Sequence, residues 1–163
     1  MRSRLIAAFA AEDVAADRLE LRGFSPHREM LEQYGDVDVA LDPFPFGGGL
    51  TSCEALWMGV PVVTWPGDRP ASRQTAGFLD NIGMRNCIAS SRADYVARAT
   101  ALASDRLRLA ELRHSLRARM AASPLCDAPR FARALEAAYH GMWRRWRSDQ
   151  KPKGFDVPHA GGA

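Results

Sequence analysis

Short β-rich runs alternate with helical patterns through the first ninety residues, and this alternation limits the fold more than any other feature of the sequence. Apolar and β-branched segments bounded by turn residues predict strands over residues 19–24, 37–41, 61–65 and 86–89. Parallel strands need long crossover connections, which the intervening helical patterns supply. The sequence therefore predicts an α/β fold with a Rossmann-like parallel sheet and flanking helices.

The C-terminal half is predicted to be helical and to close the sheet. Ser91 opens a capping-box pattern with Asp94, which marks the start of the first of these helices. Residues 148–163 are rich in Gly, Pro and Lys and predict a flexible tail.

Across the whole chain, helices are predicted over residues 29–34, 51–58, 70–82, 93–103 and 131–147, with a further helix starting at a Ser104 cap.

Length and composition exclude several classes of protein. The 163 residues allow one ordinary domain, and the hydrophobic and charged fractions of 47% and 25% are those of a globular chain. No apolar run approaches the roughly 20 residues that span a bilayer, so no membrane association is predicted. The apolar part of the N-terminal segment is short and is followed at once by Glu12 and Asp13, which favours an amphipathic helix over a signal peptide.

The cysteines and the charge distribution limit the kinds of site, compartment and binding partner that the sequence predicts. Cys53, Cys87 and Cys126 are odd in number and far apart, which predicts neither a disulfide framework nor a zinc site and fits a cytoplasmic protein. The net charge of +3 divides into −4 over residues 1–91 and +7 over residues 92–147. Solvated Arg-rich helix faces explain the basic half better than nucleic-acid binding, because no recognition motif accompanies the charge.

A glycine-rich loop that leads into a helix carries the strongest functional signal. Gly47, Gly48 and Gly49 follow the predicted strand that ends at residue 41 and precede Thr51. Glycines permit close approach of the backbone to a ligand, and a helix N-terminus favours an anion such as a diphosphate. An ordinary turn with Thr51 or Ser52 as N-cap explains the pattern equally well, and the loop matches neither GxGxxG nor GxxxxGK[ST].

Three further sets of residues have a structural and a functional interpretation. Glu54 gains from the helix dipole, yet it also lies within reach of ribose hydroxyls beside a bound phosphate. His27 opens a helix near the predicted site, although a lone histidine there is more often structural. Asp36 and Asp38 form a DxD sequence at the start of a strand, opposite the ligand end, so no metal site is predicted.

The segment DVALDPFPFGGGLTSCEALWMGVPVVTWPG at residues 38–67 resembles the C-terminal catalytic lobe of the protein O-linked N-acetylglucosamine transferases. That family includes bacterial tetratricopeptide-repeat proteins and plant SPINDLY-type enzymes. The resemblance continues through residues 70–73, the Ser-Pro-Leu break at 123–125 and the Met-Trp pair at 142–143. It covers roughly residues 18–147.

The resemblance implies that residues 1–147 form an incomplete C-terminal lobe of a GT-B glycosyltransferase and bind a sugar nucleotide. It implies an inverting, metal-independent enzyme that transfers N-acetylglucosamine from UDP-GlcNAc to Ser or Thr of proteins, with no cofactor besides this donor. The loop from Gly48 through Gly49 and Leu50 to Thr51 would face the diphosphate and sugar. Glu54 would bind the ribose. The uracil would lie near Ser25, Pro26 and His27.

The resemblance also implies that parts of the active site lie outside this chain. An N-terminal lobe, helical repeats and an upstream strand that carries a Gln and a Lys are absent from it, and no catalytic residue is assigned. Many relatives have His-Thr-Thr where this chain has Gly49, Leu50 and Thr51. The identity of the protein acceptor is not predicted. The alternative is a non-catalytic remnant or interaction module that pairs with another lobe or chain.

Overall fold

A computed structural model of the chain describes residues 2–157, which divide into two compact units, Met1–Glu32 and Gln33–Ala163. In the first unit, α1 (Arg2–Ala10) is followed by a short 3-10 helix and an extended segment. The guanidinium of Arg2 donates a hydrogen bond of 3.0 Å to the carbonyl of Leu21. The strand predicted over residues 19–24 is wrong, because no described segment of this unit pairs with it as a ladder.

The second unit is rich in helices around a small parallel sheet. The sheet contains two short strands, and a third segment joins it by one bridge. No helix within residues 2–157 is both long enough and apolar enough to cross a membrane. The helices, counting the one that crosses the unit boundary, are α2 (His27–Gln33), α3 (Leu50–Trp57), α4 (Gln74–Asn81), α5 (Arg92–Ser104), α6 (Arg106–Ala121) and α7 (Ala128–Arg147), and the strands are β1 (Ala40–Leu41) and β2 (Val62–Val63).

The two strands are parallel, as the alternation of strand and helix predicted. Ala40 lies opposite Val62, and Leu41 lies opposite Val63. Beyond β2, Thr64 forms a parallel bridge to Ile88, so β2 is central to the sheet. All strands are shorter than predicted, and the predicted strand over residues 86–89 is reduced to this bridge because its first residues form a 3-10 helix.

The hydrophobic core lies between the sheet and helices α3, α4 and α6. Val63 in the sheet and Leu56, Leu79, Leu112 and Leu116 in these helices are fully buried. Leucines 112 and 116 are four residues apart, which places both on the inner face of α6. Burial of this face therefore fixes α6 to the rest of the unit.

Helix boundaries follow the capping side chains. Ser91 caps α5 by accepting a hydrogen bond of 3.1 Å from the N–H of Asp94, which confirms the predicted cap. The hydrogen bonds from the Ser90 N–H and the Arg98 guanidinium hold the pKa of the Asp94 carboxyl below its usual range. Asp105 caps α6 through the N–H of Arg108, so the predicted Ser104 cap is wrong by one residue. An Asp carboxylate is a stronger acceptor than the neighbouring hydroxyl.

The remaining helices start or break at Asp and Pro residues. The helix predicted over residues 70–82 is split into a 3-10 turn, Pro70–Ser72, and α4. The helix predicted from residue 131 begins earlier because Asp127 caps α7 through the N–H of Arg130. Residues 151–157 have no regular secondary structure, and the rest of the predicted tail, 158–163, lies outside the described residues.

Replacement of Leu112 by Ala is expected to lower the free energy of unfolding by about 2–5 kcal/mol, because it leaves a cavity in the core. The matched control is Leu107→Ala, since Leu107 lies on the same helix but is 87% exposed. The control is expected to change the free energy by less than about 0.5 kcal/mol. Urea unfolding followed by circular dichroism measures both values, and equal effects would contradict this description of the core.

Candidate functional site

The glycine-rich loop lies at the carboxyl ends of both strands. Asp42 directly follows β1, and Thr64 directly follows β2. One oxygen of the Asp42 carboxylate accepts the Gly48 N–H at 2.6 Å, and the other accepts the Thr64 hydroxyl at 2.7 Å. Asp42 is 7% exposed and Thr64 is fully buried. One buried carboxylate thus fastens the loop to the ends of the two strands.

A second set of buried hydroxyls joins the loop to α4. The Thr75 hydroxyl donates to the carbonyl of Gly48 at 3.1 Å. The Ser52 hydroxyl lies 2.9 Å from the Thr75 hydroxyl and, because the Thr75 proton is directed to Gly48, acts as the donor. The N–H of Gly47 donates to the carbonyl of Ala71 at 3.3 Å, just before α4. The N-terminal ends of α3 and α4 are therefore held against the same loop.

The glycines are required by close packing. A Cβ atom at Gly47 would lie 2.9 Å from an oxygen of Asp42, and one at Gly49 would lie 3.0 Å from the Gln74 amide oxygen. A Cβ atom at Gly48 would overlap the Ser52 hydroxyl oxygen. The loop backbone therefore packs closely against these side chains, and the overlap from an added side chain is largest at Gly48.

The exposed end of α3 offers backbone donors. Gly49 is the N-cap, so the alternative interpretation with a cap at Thr51 or Ser52 is wrong: Thr51 is in the first turn, and Ser52 is buried against Thr75. Ser52 and Cys53 donate their N–H groups to the Gly49 carbonyl. The N–H groups of Leu50 and Thr51 come too early to have acceptors within the helix. These N–H groups concentrate partial positive charge at the N-terminus of α3, which favours the binding of an anion there.

Glu54 lies one turn into α3 and is half-buried. The Tyr34 hydroxyl donates to the Thr51 carbonyl at 3.1 Å. Burial, and then the negative charge of Glu54, raise the pKa of Tyr34, which keeps the phenol protonated as a donor. Burial also raises the pKa of the Cys53 thiol, with smaller effects from Cys126 and Glu54, so this thiol is not an activated nucleophile.

A cavity of about 180 Å³ opens beside these groups, and its walls come from the loop, both strands and the start of α3. It is smaller than the roughly 300–1,000 Å³ of pockets that enclose a whole small-molecule ligand. Its lining includes the polar residues Asp42, Thr51 and Ser52 and the apolar residues Ala55 and Val62. The surface beside the first turn of α3 is therefore concave.

The predicted site residues fall into two groups. Gly48, Gly49, Leu50, Thr51 and Glu54 lie together at the start of α3 in the second unit. The predicted uracil contacts, Ser25, Pro26 and His27, belong to the first unit, where the last of them begins α2.

The DxD sequence lies apart from the loop. Asp38 is exposed and comes two residues before β1, at the opposite end of the strand. Among residues 2–157, no group of three or more His, Cys, Asp or Glu side chains could hold a metal ion.

Sequence reasoning missed Asp42, Thr64 and Thr75. A signal for the first two was present, since each is a polar residue that directly follows a buried apolar strand. Polar residues at the carboxyl ends of neighbouring parallel strands lie at the same edge of the sheet, where such folds bind ligands. Thr75 carries no comparable signal, because a threonine in the first turn of a helix is common.

Known proteins share this arrangement of fold and sequence. A solved O-GlcNAc transferase of Thermobaculum terrenum, a K341M mutant, superposes with a TM-score of 0.84 and 40% identity over 91% of this chain and 28% of its own. A probable UDP-N-acetylglucosamine–peptide N-acetylglucosaminyltransferase SPINDLY of Oryza sativa subsp. japonica is 40% identical over 90% of this chain. The relative SEC of Arabidopsis thaliana is 32% identical over 96% of this chain.

These relatives are named as glycosyltransferases, and the profile of glycosyl transferase family 41 matches residues 3–135. The chain belongs to glycosyl transferase family 41. The resemblance to the protein O-linked N-acetylglucosamine transferases is thereby confirmed. The chain spans only 16% of the length of each of the two plant relatives.

Replacement of Gly48 by Ala is expected to lower the free energy of unfolding by about 1–3 kcal/mol, because the new methyl group overlaps Ser52. The control is Gly77→Ala in α4, where no atom lies within 4 Å of the added Cβ. That control is expected to raise the free energy of unfolding by about 0.5–1 kcal/mol, because Ala favours a helix more than Gly. Urea unfolding distinguishes the two, and stabilisation by Gly48→Ala would contradict the packing described.

Proposed function

We propose that this chain is the sugar-nucleotide-binding half of an inverting, metal-independent protein O-glycosyltransferase. The donor is UDP-GlcNAc, and the acceptor is a Ser or Thr hydroxyl of a protein. The observation that carries the proposal is the glycine loop and the first turn of α3, which present N–H donors at the carboxyl ends of parallel strands. This arrangement occurs in a chain of glycosyl transferase family 41.

The diphosphate is the part of the donor that this site explains best. The N–H groups of Leu50 and Thr51 and the Thr51 hydroxyl all belong to the exposed first turn of α3. A diphosphate accepts several hydrogen bonds and carries charge of the sign that a helix N-terminus stabilises. The loop glycines allow one phosphate to approach the backbone, and a small cavity adjoins the loop.

The ribose and the uracil are the remaining parts of the donor. Glu54 is an acceptor for ribose hydroxyls, since it lies one helical turn beyond the loop and is half-buried. Ser25, Pro26 and His27 would lie near the uracil, a role that rests on the family resemblance. The sugar would face Gly49 and Leu50, where this chain lacks the His-Thr pair of many relatives.

The proposed reaction is a displacement at the anomeric carbon. The acceptor oxygen forms a bond to that carbon while the bond to the β-phosphate oxygen breaks, and UDP leaves with the electron pair. Negative charge grows on the leaving phosphate, where fixed N–H dipoles stabilise the transition state more than the ground state. Such dipoles do the work that a divalent cation does in other phosphate sites. The site assigns no base for the acceptor proton.

The rest of the enzyme would be supplied by a longer protein. The plant relatives exceed the length of this chain several-fold, and the chain covers 28% of the solved O-GlcNAc transferase chain. We propose that residues 1–147 form part of the C-terminal GT-B lobe and that residues 148–163 are a tail. An N-terminal lobe and helical repeats would complete the active site and bind the acceptor, in the cytoplasm.

The wild-type chain is expected to bind UDP in a calorimetric titration. Thr51→Val removes one hydrogen bond from a hydroxyl to the charged diphosphate and is expected to weaken binding about tenfold or more. Glu54→Ala removes a charged acceptor and is expected to weaken binding about tenfold or more.

The matched controls carry the same substitutions at exposed positions of other helices, Thr100→Val in α5 and Glu136→Ala in α7. Both are expected to bind UDP as the wild type does. Circular dichroism checks that every variant is folded. A folded wild-type chain that binds no UDP at millimolar concentration would overturn the proposed function for this chain.

Removal of divalent cations is expected to leave UDP binding unchanged. A titration in excess EDTA should give the same dissociation constant as one in Mg²⁺, because the proposed donors are N–H and hydroxyl groups. A large loss of affinity in EDTA that is restored by Mg²⁺ would contradict metal independence and would direct attention to the carboxylates near the loop.

A further inference from the structure

A buried carboxylate directly beneath an anion-binding loop requires a physical reason. Asp42 is 7% exposed and contacts the loop at Gly48. A negative charge at this place repels a diphosphate through an interior of low dielectric constant, so by charge alone it weakens binding. Asp42 must therefore contribute something that offsets this repulsion.

The contacts of Asp42 show what it contributes to the loop. Its side chain holds Gly48 from one oxygen and Thr64 from the other, at 2.6 and 2.7 Å. Its carbonyl accepts the Tyr95 hydroxyl at 3.0 Å, and its N–H donates to Val63 at 2.9 Å. The residue is therefore immobilised from β2 and from α5, and it transmits that rigidity to the loop.

The same contacts determine which backbone donors remain for a ligand. The Gly47 N–H is bonded to Ala71, and the Gly48 N–H is bonded to Asp42. The N–H groups of Gly49, Leu50 and Thr51 have no acceptor among residues 2–157. The loop thus uses two amides for its own hydrogen bonds and leaves three, at the start of α3, without an acceptor among these residues.

We infer that Asp42 is a positioning residue for the diphosphate: it sets the loop so that the amides of Gly49, Leu50 and Thr51 converge on the ligand. The Gly48 amide then serves Asp42 and not the ligand. This inference rests on the proposed function. It assigns Asp42 no contact with the substrate, and Thr64 orients the carboxylate through its hydroxyl.

The first test is amide hydrogen exchange by NMR, which reports on the loop without any ligand. In the wild-type chain the Gly48 amide is expected to be protected. In Asp42→Ala it is expected to exchange about tenfold faster or more, because the charged acceptor is lost. Amides in α6 should be unchanged. A general increase across the core would show a merely structural role and would overturn the inference.

The second test is the affinity of Asp42→Asn for UDP. A purely electrostatic role and a positioning role of Asp42 predict changes of this affinity in opposite directions. Removal of a negative charge alone would tighten binding of UDP. Loss of the positioned loop is expected to weaken it about tenfold, because Asn has a single uncharged acceptor oxygen and cannot accept hydrogen bonds from both Gly48 and Thr64. Uridine, which lacks phosphates, is expected to bind to Asp42→Asn and to the wild-type chain with the same affinity in an NMR titration.

Asp38→Asn is the matched control, since it makes the same substitution at an exposed position before the same strand. Its UDP affinity is expected to stay within about twofold of wild type. Thr64→Val is expected to reproduce part of the Asp42→Asn defect, and Thr64→Ser, which keeps the hydroxyl, to restore wild-type affinity. This pair keeps the test decisive if an Asp42 variant does not fold.

The outcomes separate the inference from the proposed function. Wild-type or tighter UDP binding by Asp42→Asn would overturn the positioning role and leave the proposed function intact. If the folded wild-type chain binds no UDP, the proposed function fails for this chain. The exchange rates of the Gly48 amide still decide in that case whether Asp42 holds the loop.

Discussion

The hydrogen bonds of the Asp42 carboxylate are the interaction on which the site depends. Through Gly48 and Thr64 they join a loop, the end of β1 and the end of β2 at one buried point. A carboxylate is suited to this place because it accepts from two donors in different directions. Loss of either donor would leave a buried charge with fewer partners, which is costly, so the three elements are held together as a unit.

The small sheet can position this unit because helices complete the core around it. The strands contribute few backbone hydrogen bonds, whereas α6, with its fully buried leucines, packs against α3 and α5. The Arg113 guanidinium adds hydrogen bonds to the carbonyls of Tyr34 and Met58, at the two ends of the segment that contains β1 and α3. The packing of α6 and the hydrogen bonds of Arg113 therefore hold the elements that position the loop.

Sequence reasoning predicted the elements with strong local signals. The Ser91 cap, the parallel strands and the glycine loop that enters a helix are all observed. It overestimated the strands, because apolar runs show which segments are buried but not how many residues find a ladder partner. It chose Ser104 over Asp105 as a cap because adjacent capping residues give the same local pattern.

The sequence by itself determined the family and predicted where the site lies, since both depend on a contiguous segment of specific residues around Gly48. Only the tertiary structure decided how that loop is held and which of its amides face outward. Asp42, Thr64 and Thr75 lie on separate elements, and their hydrogen bonds to one another or to Gly48 arise when packing brings these elements together. Each contact joins residues distant in sequence, so no local pattern records it.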